Sequence, residues 1–231
     1  MLNLIRGVRL FCSALNFAGT LKIHIRRTLL LVVAIALISA CDSKAKEEAL
    51  PSGSLVVALG DSLTAGAGVA PDEAWPALLA SRTGWVVING GISGDTSGGA
   101  LRRLPELLEE HNPVLVLVAL GGNDMLRRIP QQETIDNLGR MLAMIKAHGA
   151  KPVLLATPEP SVAGAVLQSL SAADFYRSVA GEHRVPLIEE AIADVLSDPQ
   201  MKGDPLHPNR VGHAQLAQEI FDALKSIGYA G

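Results

Sequence analysis

The chain has 231 residues, of which 48% are hydrophobic and only 3% aromatic, and this composition fits one folded domain with an aliphatic core rather than a disordered or fibrous chain. The formal net charge is −3, but residues 1–40 hold five basic and no acidic residues, so the remaining 15 basic and 23 acidic residues give the rest a net charge near −8. An acidic body argues against a nucleic-acid partner, because phosphate binding needs clustered Lys and Arg.

The first predicted element is an export signal over residues 1–40. Basic residues up to Arg27 precede the segment "TLLLVVAIALISAC" (28–41), whose apolar run is too short to span a bilayer comfortably and ends in small residues. This end resembles a bacterial lipobox, in which Cys41 is lipidated and becomes the first mature residue. Ordinary signal cleavage and an uncleaved anchor are the alternatives. We therefore expect a lipid-anchored protein on the periplasmic side of a Gram-negative envelope.

Residues 41–54 are predicted to form a polar tether, because the sequence after Cys41 is charged and contains Pro51 and Gly53. The folded domain is then predicted over residues 55–231. Cys12 is the only other cysteine, so processing before Cys41 leaves no disulfide framework and no cysteine zinc site.

From Leu55 onward, short apolar runs alternate with segments of helical spacing. The runs predict strands at 55–59, 85–88, 114–120, 152–156 and 186–188, and their uniformly apolar character favours strands buried on both faces. Leucine and isoleucine recur at helical spacing over 101–108, 135–145 and 216–224. This alternation predicts an α/β fold, a three-layer α/β/α sandwich with about five parallel strands in the flavodoxin-like order.

Ligands of an open parallel sheet bind outside the carboxyl ends of its strands. The segments "GDSLTAG" (60–66), "NGGISGDTSGG" (89–99) and "GGNDM" (121–125) follow the first three strands, and "GDPLHPN" (203–209) follows the fifth. Together they supply a serine, an asparagine, a histidine with an aspartate three residues before it, and glycine N–H groups, which are the components of nucleophilic acyl transfer. Prolines at 205 and 208 disfavour a helix, so Asp204 and His207 are predicted to share a stiff turn in which the imidazole can face both Asp204 and Ser62.

These four blocks, in this order, resemble the GDSL family of serine esterases and lipases, also called SGNH hydrolases, and within it the bacterial arylesterase and thioesterase I/lysophospholipase group. The resemblance implies that Ser62 is the nucleophile, His207 the base and Asp204 the acid that orients it. It implies an oxyanion hole made by the N–H groups of Ser62 and Gly94 and by the Asn123 side chain. The implied substrate is a small-molecule ester, thioester or lysophospholipid, hydrolysed through an acyl-serine without metal or cofactor.

Three apolar neighbours of these residues are predicted to line an acyl groove on position alone: Met125 and Leu126 beside Asn123, and Leu206 beside His207. The segment 156–175 departs from the pattern expected of the thioesterase members, so the preferred acyl length stays open.

The same residues and the same fold also allow other roles. Ser62 and Asp61 could be only a helix cap, Asn123 and Asp124 could form a turn, and Asp124 is expected to be structural. His213 is expected to be a surface or packing residue. A phosphate-binding module of the same fold is disfavoured, because the sequence has no G-x-x-x-x-G-K-[ST] motif and the first three loops contain no basic residue. A non-catalytic envelope lipoprotein and a carbohydrate acetylesterase of the same family remain alternatives, and a monomer is expected.

Overall fold

The computed structural model describes residues 48–161, 164 and 168–231. The predicted signal segment (1–40), the lipobox residue Cys41 and residues 42–47 of the predicted tether lie outside the described residues.

A parallel sheet of five strands lies in the middle of the described part of the chain. Its strands run in the order β2-β1-β3-β4-β5, which is the flavodoxin-like order, and the predicted α/β/α sandwich is confirmed. The strands are β1 (Leu55–Gly60), β2 (Val86–Gly91), β3 (Leu115–Ala119), β4 (Lys151–Leu155) and β5 (Leu187–Ile188).

Helices cover both faces of this sheet because successive side chains of each strand point to opposite sides. The helices are α1 (Ser62–Ala65), α2 (Trp75–Thr83), α3 (Ser97–His111), α4 (Gly122–Leu126), α5 (Gln131–His148), α6 (Phe175–His183), α7 (Ala191–Ser197) and α8 (Arg210–Ile227). Val56 and Ala58 belong to a core cluster with residues of α2, α7 and α8, whereas Val57 and Leu59 belong to a second cluster with residues of α3, α5 and α6.

Strand β2 departs from the expectation that all five apolar runs are buried on both faces. Every residue of β3 is buried, but only Gly90 of β2 is, and Val86 is 48% exposed. β2 is an edge strand, so it lacks a neighbour on one side. An apolar run shows that a segment is suited to a strand, but the position of the strand in the sheet decides how far it is buried.

The chain joins the domain before the predicted start at residue 55. Leu50 packs on the first core cluster and its N–H donates to the Tyr229 carbonyl at 2.8 Å. The Gly53 N–H donates to the Gly84 carbonyl at 2.8 Å. Within the described residues, no helix has the length and apolar character needed to cross a membrane.

Candidate active site

The first three strands along the chain end together at one edge of the sheet. β1 ends at Gly60, which pairs in register with Gly91 at the end of β2 and with Ala119 at the end of β3. The loops that follow these strands therefore begin side by side, at the edge where folds of this class bind ligands.

Ser62 is the first residue of α1, directly after β1. Asp61 caps this helix, because its Oδ1 accepts a hydrogen bond from the Leu63 N–H at 3.0 Å. α1 packs so closely on β2 that a Cβ added to Gly91 would lie 2.2 Å from the Ala65 nitrogen. Glycine at this position therefore allows the helix to hold Ser62 over the edge of the sheet.

The turn at 202–209 brings His207 to Ser62. His207 Nε2 lies 2.9 Å from Ser62 Oγ, and His207 Nδ1 lies 2.8 Å from Asp204 Oδ2. The structure thus places next to one another the three residues that the sequence suggests as nucleophile, base and orienting acid. The turn is closed by a bridge between Lys202 and Pro208.

The surroundings of Asp204 favour its ionised form. Its Oδ1 accepts the Leu206 N–H at 2.8 Å and the His207 N–H at 2.9 Å. The Leu206 N–H is the main cause that lowers the pKa of Asp204 below its ordinary value, and the His207 side chain adds to it. An ionised carboxylate against Nδ1 keeps the proton on that nitrogen, so Nε2 is free to accept the proton of Ser62.

The two other predicted oxyanion residues line the same cavity as Ser62. Gly94 has a φ of 77°, a left-handed conformation that favours glycine. Asn123 lies in α4, and its Nδ2 donates to Asp61 Oδ2 at 3.1 Å. Because a side-chain amide carries two N–H groups, one remains for a further acceptor.

Asp124 joins the second loop to the third. Its carboxylate accepts the Ser97 N–H at 2.8 Å, the Ser97 hydroxyl at 2.5 Å and the Thr134 hydroxyl at 3.3 Å. Asn137 donates to the Ser97 hydroxyl at 3.1 Å, and Asp124 itself is only 1% exposed. This buried network agrees with the structural role expected of Asp124.

Two arginines that connect the loops were not identified from the sequence. Arg103 donates to Asp95 at 2.8 Å and to the Gly60 carbonyl at 3.0 Å, and Arg127 donates to the Gly94 carbonyl at 2.6 Å. In the sequence, Arg103 is marked only by its position directly before Leu104, which is one of the buried residues of α3. No comparable signal marks Arg127.

Ser62 and His207 open into a cavity of about 590 Å³. Leu126 and Leu206, which were predicted to line an acyl groove, are both in its wall. One charged residue of the wall, Glu159, was not predicted from the sequence, and neither were several apolar residues from other elements, among them Leu63, Pro158, Leu170 and Leu196.

Met125 lies elsewhere, contrary to its prediction as a groove residue. It lines a second cavity of about 500 Å³ together with Phe175, and it packs against the second core cluster. Residues three apart share a helix face, so Asn123 and Leu126 point to the first cavity together while Met125 points away.

His213 is a packing residue, one of the two roles left open for it. It is fully buried in α8, and its Nδ1 accepts the Trp75 N–H at 3.4 Å. Burial lowers the pKa of His213 from 6.5 to about 4, so this imidazole is neutral at neutral pH.

This arrangement has the chemical parts of acyl transfer to a hydroxyl. A serine hydroxyl faces an imidazole, a carboxylate faces the other imidazole nitrogen, and an apolar cavity with amide donors adjoins both. In the part of the chain that the structure describes, no group of three or more His, Cys, Asp or Glu side chains is arranged to hold a metal ion.

The chain is similar in sequence to several known proteins. The sequence model of the GDSL-like lipase/acylhydrolase family matches residues 58–215. The thioesterase 1/protease 1/lysophospholipase L1 of Escherichia coli is 42% identical over 174 residues, which are 73% of this chain and 82% of that protein. An arylesterase of Vibrio mimicus is 37% identical over 175 residues, which are 73% of this chain and 87% of that protein.

Solved structures agree with these relatives. The crystal structure of TesA matches with a TM-score of 0.68 and 32% identity, covering 75% of this chain and 99% of that one. A psychrotrophic esterase, EstA from Pseudoalteromonas, solved with monoethylphosphonate as inhibitor, matches with a TM-score of 0.65 and 30% identity, covering 75% of this chain and 97% of that one.

Proposed function

The chain belongs to the GDSL-like lipase/acylhydrolase family and is a carboxylic ester hydrolase, and we propose that it cleaves esters and thioesters of apolar acyl groups through an acyl-serine at Ser62. The observation that carries this proposal is the contact of His207 Nε2 with Ser62 Oγ at 2.9 Å, with Asp204 on the other imidazole nitrogen. Both residues of that contact line the apolar cavity, where an acyl chain would lie.

The proposed reaction has two steps, acylation of Ser62 and hydrolysis of the acyl-serine. Ser62 Oγ bonds to the carbonyl carbon while its proton passes to His207 Nε2, and the carbonyl oxygen becomes an anion held by the N–H groups of Ser62 and Gly94 and by Asn123. The intermediate collapses, the bond to the leaving alcohol or thiol breaks, and His207 returns the proton to that group. Water then bonds to the acyl carbon while one of its protons passes to His207, the bond between that carbon and Ser62 Oγ breaks, and His207 returns the proton to Ser62 Oγ as the free acid leaves. Asp204 stabilises the imidazolium that forms in each step.

The apolar wall of the cavity favours an acyl group longer than acetyl. Its wall contains several leucines and prolines, and burial of each CH₂ group contributes about 0.8 kcal/mol. This favours aryl and alkyl esters, acyl thioesters or lysophospholipids over the acetylated carbohydrates of the alternative function. The acidic net charge of the body also favours uncharged acyl groups.

Hydrolysis of p-nitrophenyl esters from acetate to palmitate tests the proposal. We expect turnover that increases beyond acetate and is lost in Ser62→Ala, with the fold of the variant checked by circular dichroism. Turnover that survives in Ser62→Ala would remove the acyl-serine mechanism, and a maximum at acetate would favour an acetylesterase.

We also propose that Cys41 carries a lipid on the periplasmic side of the envelope. The support is the sequence alone, since Cys41 lies outside the described residues. Radiolabelled palmitate should enter the full chain but not Cys41→Ser, whereas equal labelling of both would exclude this anchor.

A further inference from the structure

Asp61 is a buried carboxylate with a hydrogen-bond donor on each oxygen. It is 2% exposed; Oδ1 accepts the Leu63 N–H at 3.0 Å and Oδ2 accepts Asn123 Nδ2 at 3.1 Å. The first contact caps the helix that begins with Ser62. The second joins this cap to Asn123 in α4, 62 residues further along the chain.

The contact with Asp61 determines how the Asn123 amide is oriented. A carboxylate only accepts hydrogen bonds, so the Asn123 nitrogen, and not its oxygen, must face Asp61. One N–H is then used, and the second is directed by the same planar group. The carboxylate is itself held in place, because its other oxygen caps α1 through the Leu63 N–H.

We propose that Asp61 is a positioning residue that orients the Asn123 amide toward the oxyanion of the reaction. This inference rests on the proposed function, in which Asn123 is an oxyanion donor. In this role Asp61 acts on the oxyanion through Asn123. An oxyanion donor contributes only if it is held in place before charge develops, so loss of the Asp61 contact should lower kcat and leave KM nearly unchanged.

The charge of Asp61 gives this role a pH dependence. Burial raises the pKa of Asp61 from 3.8 to about 6, against the opposing effects of the Leu63 N–H, Asn123 and the charge of His207. Tyr176 on α6 also interacts electrostatically with Asp61, and Arg103 on α3 contacts the carbonyl of the preceding residue, Gly60.

Protonation of Asp61 changes what its Oδ2 can do. A hydroxyl hydrogen that faces the Asn123 nitrogen puts two donors together, so the contact is lost in acid. Activity that depends on the oriented Asn123 amide should therefore fall as Asp61 takes up its proton.

The test is a double-mutant cycle of Asp61→Asn and Asn123→Ala. The Asp61→Asn side chain keeps the size of the carboxylate and can still cap Leu63 through its oxygen, but it then presents an N–H to Asn123. We expect kcat to fall about 10- to 100-fold in the wild-type background and less than about threefold in the Asn123→Ala background. Equal losses in both backgrounds would show a purely structural cap and overturn the proposal.

The pH profile provides a readout that does not depend on the variant's stability. With chemistry rate-limiting, kcat/KM of the wild type relative to that of Asn123→Ala should fall as the pH decreases through about 6, because ionised Asp61 acts only through Asn123. His207 is present in both enzymes, so its effect on the ratio cancels. A ratio that does not change with pH overturns the proposal even if Asp61→Asn does not fold.

Two further variants separate this inference from the proposed function. Asp198→Asn is the matched control, because Asp198 also caps a helical turn, Pro199–Met201, through the Gln200 N–H, and it should leave kcat unchanged. Ser62→Ala reports on the proposed function itself. Loss of activity in Ser62→Ala with no effect of Asp61→Asn would overturn only the role of Asp61.

Discussion

The two halves of the active site are held in different ways. The half that contains Asp61, Asn123 and Asp124 is part of a network across three loops, and Asp61 and Asp124 are 2% and 1% exposed. The half that contains Asp204 and His207 is an exposed turn, in which the side chain of Asp204 is 53% exposed and that of His207 24%. The buried half should therefore support both activity and stability, whereas the turn should support activity alone.

The largest expected effect comes from the exposed half. We expect His207→Ala to lower kcat by about 10⁴-fold or more, since it removes the base, and to change the free energy of unfolding by less than about 0.5 kcal/mol. Steady-state kinetics and urea unfolding measure the two quantities. His148→Ala, which removes an exposed histidine, should change neither activity nor fold. A marked loss of stability in His207→Ala would contradict the contrast between the halves.

The pH dependence of the free energy of unfolding tests two buried titratable residues, Asp61 and His213. Burial raises the pKa of Asp61 from 3.8 to about 6, so its folded form binds more protons than the unfolded chain and stability falls as pH rises from about 4 to 6. Burial lowers the pKa of His213 from 6.5 to about 4, so stability is lost as pH falls through that window. The two contributions, each roughly 3 kcal/mol, oppose one another.

Single variants should separate these two contributions. Between pH 4 and 6.5, the stability of Asp61→Asn relative to the wild type should increase with pH, and that of His213→Asn should decrease. Urea unfolding at a series of pH values measures both. Parallel curves for the wild type and either variant would show that the missing residue does not titrate in this range.

A smaller effect is expected within the buried network itself. Asp124→Asn places an N–H group among the donors of Ser97 and Thr134, and we expect it to lower the free energy of unfolding by about 1–3 kcal/mol. Asp136→Asn is the control, because Asp136 makes an exposed contact with Gln132. If the two variants are equally stable, the loops are not held by Asp124.

The smallest effect belongs to Glu159, a residue of the cavity wall that is part of neither half. Glu159 is the only charged residue between Ala156 and Ala173, and it lines both cavities. Glu159→Leu should raise kcat/KM for p-nitrophenyl decanoate about threefold to tenfold and leave the acetate ester unchanged. Glu159→Gln separates the loss of charge from the added apolar surface. An equal rise for acetate would show that Glu159 does not contact the acyl chain.

The sequence by itself determined the order of strands and helices and the positions of the reactive residues at strand ends. Apolar periodicity depends on nearby residues, so β1 and β3 could be predicted to within one residue at each end, whereas α3, α5 and α8 extend three to six residues beyond the predicted helical stripes at each end. The pairing of Asp204 with His207 was predictable for the same reason, because the two residues are three apart in a turn restricted by two prolines.

Only the tertiary structure decided which distant residues support the site. The bonds of Asp61 to Asn123 and of Arg103 to Gly60 join positions 62 and 43 residues apart, and no local pattern carries that information. The same applies to Met125, which lies in the second cavity, and to the exposure of β2, because helix rotation and strand position depend on the packing of the whole sheet. Local propensity and spacing act over a few residues, whereas burial and long-range hydrogen bonds exist only once the chain has folded.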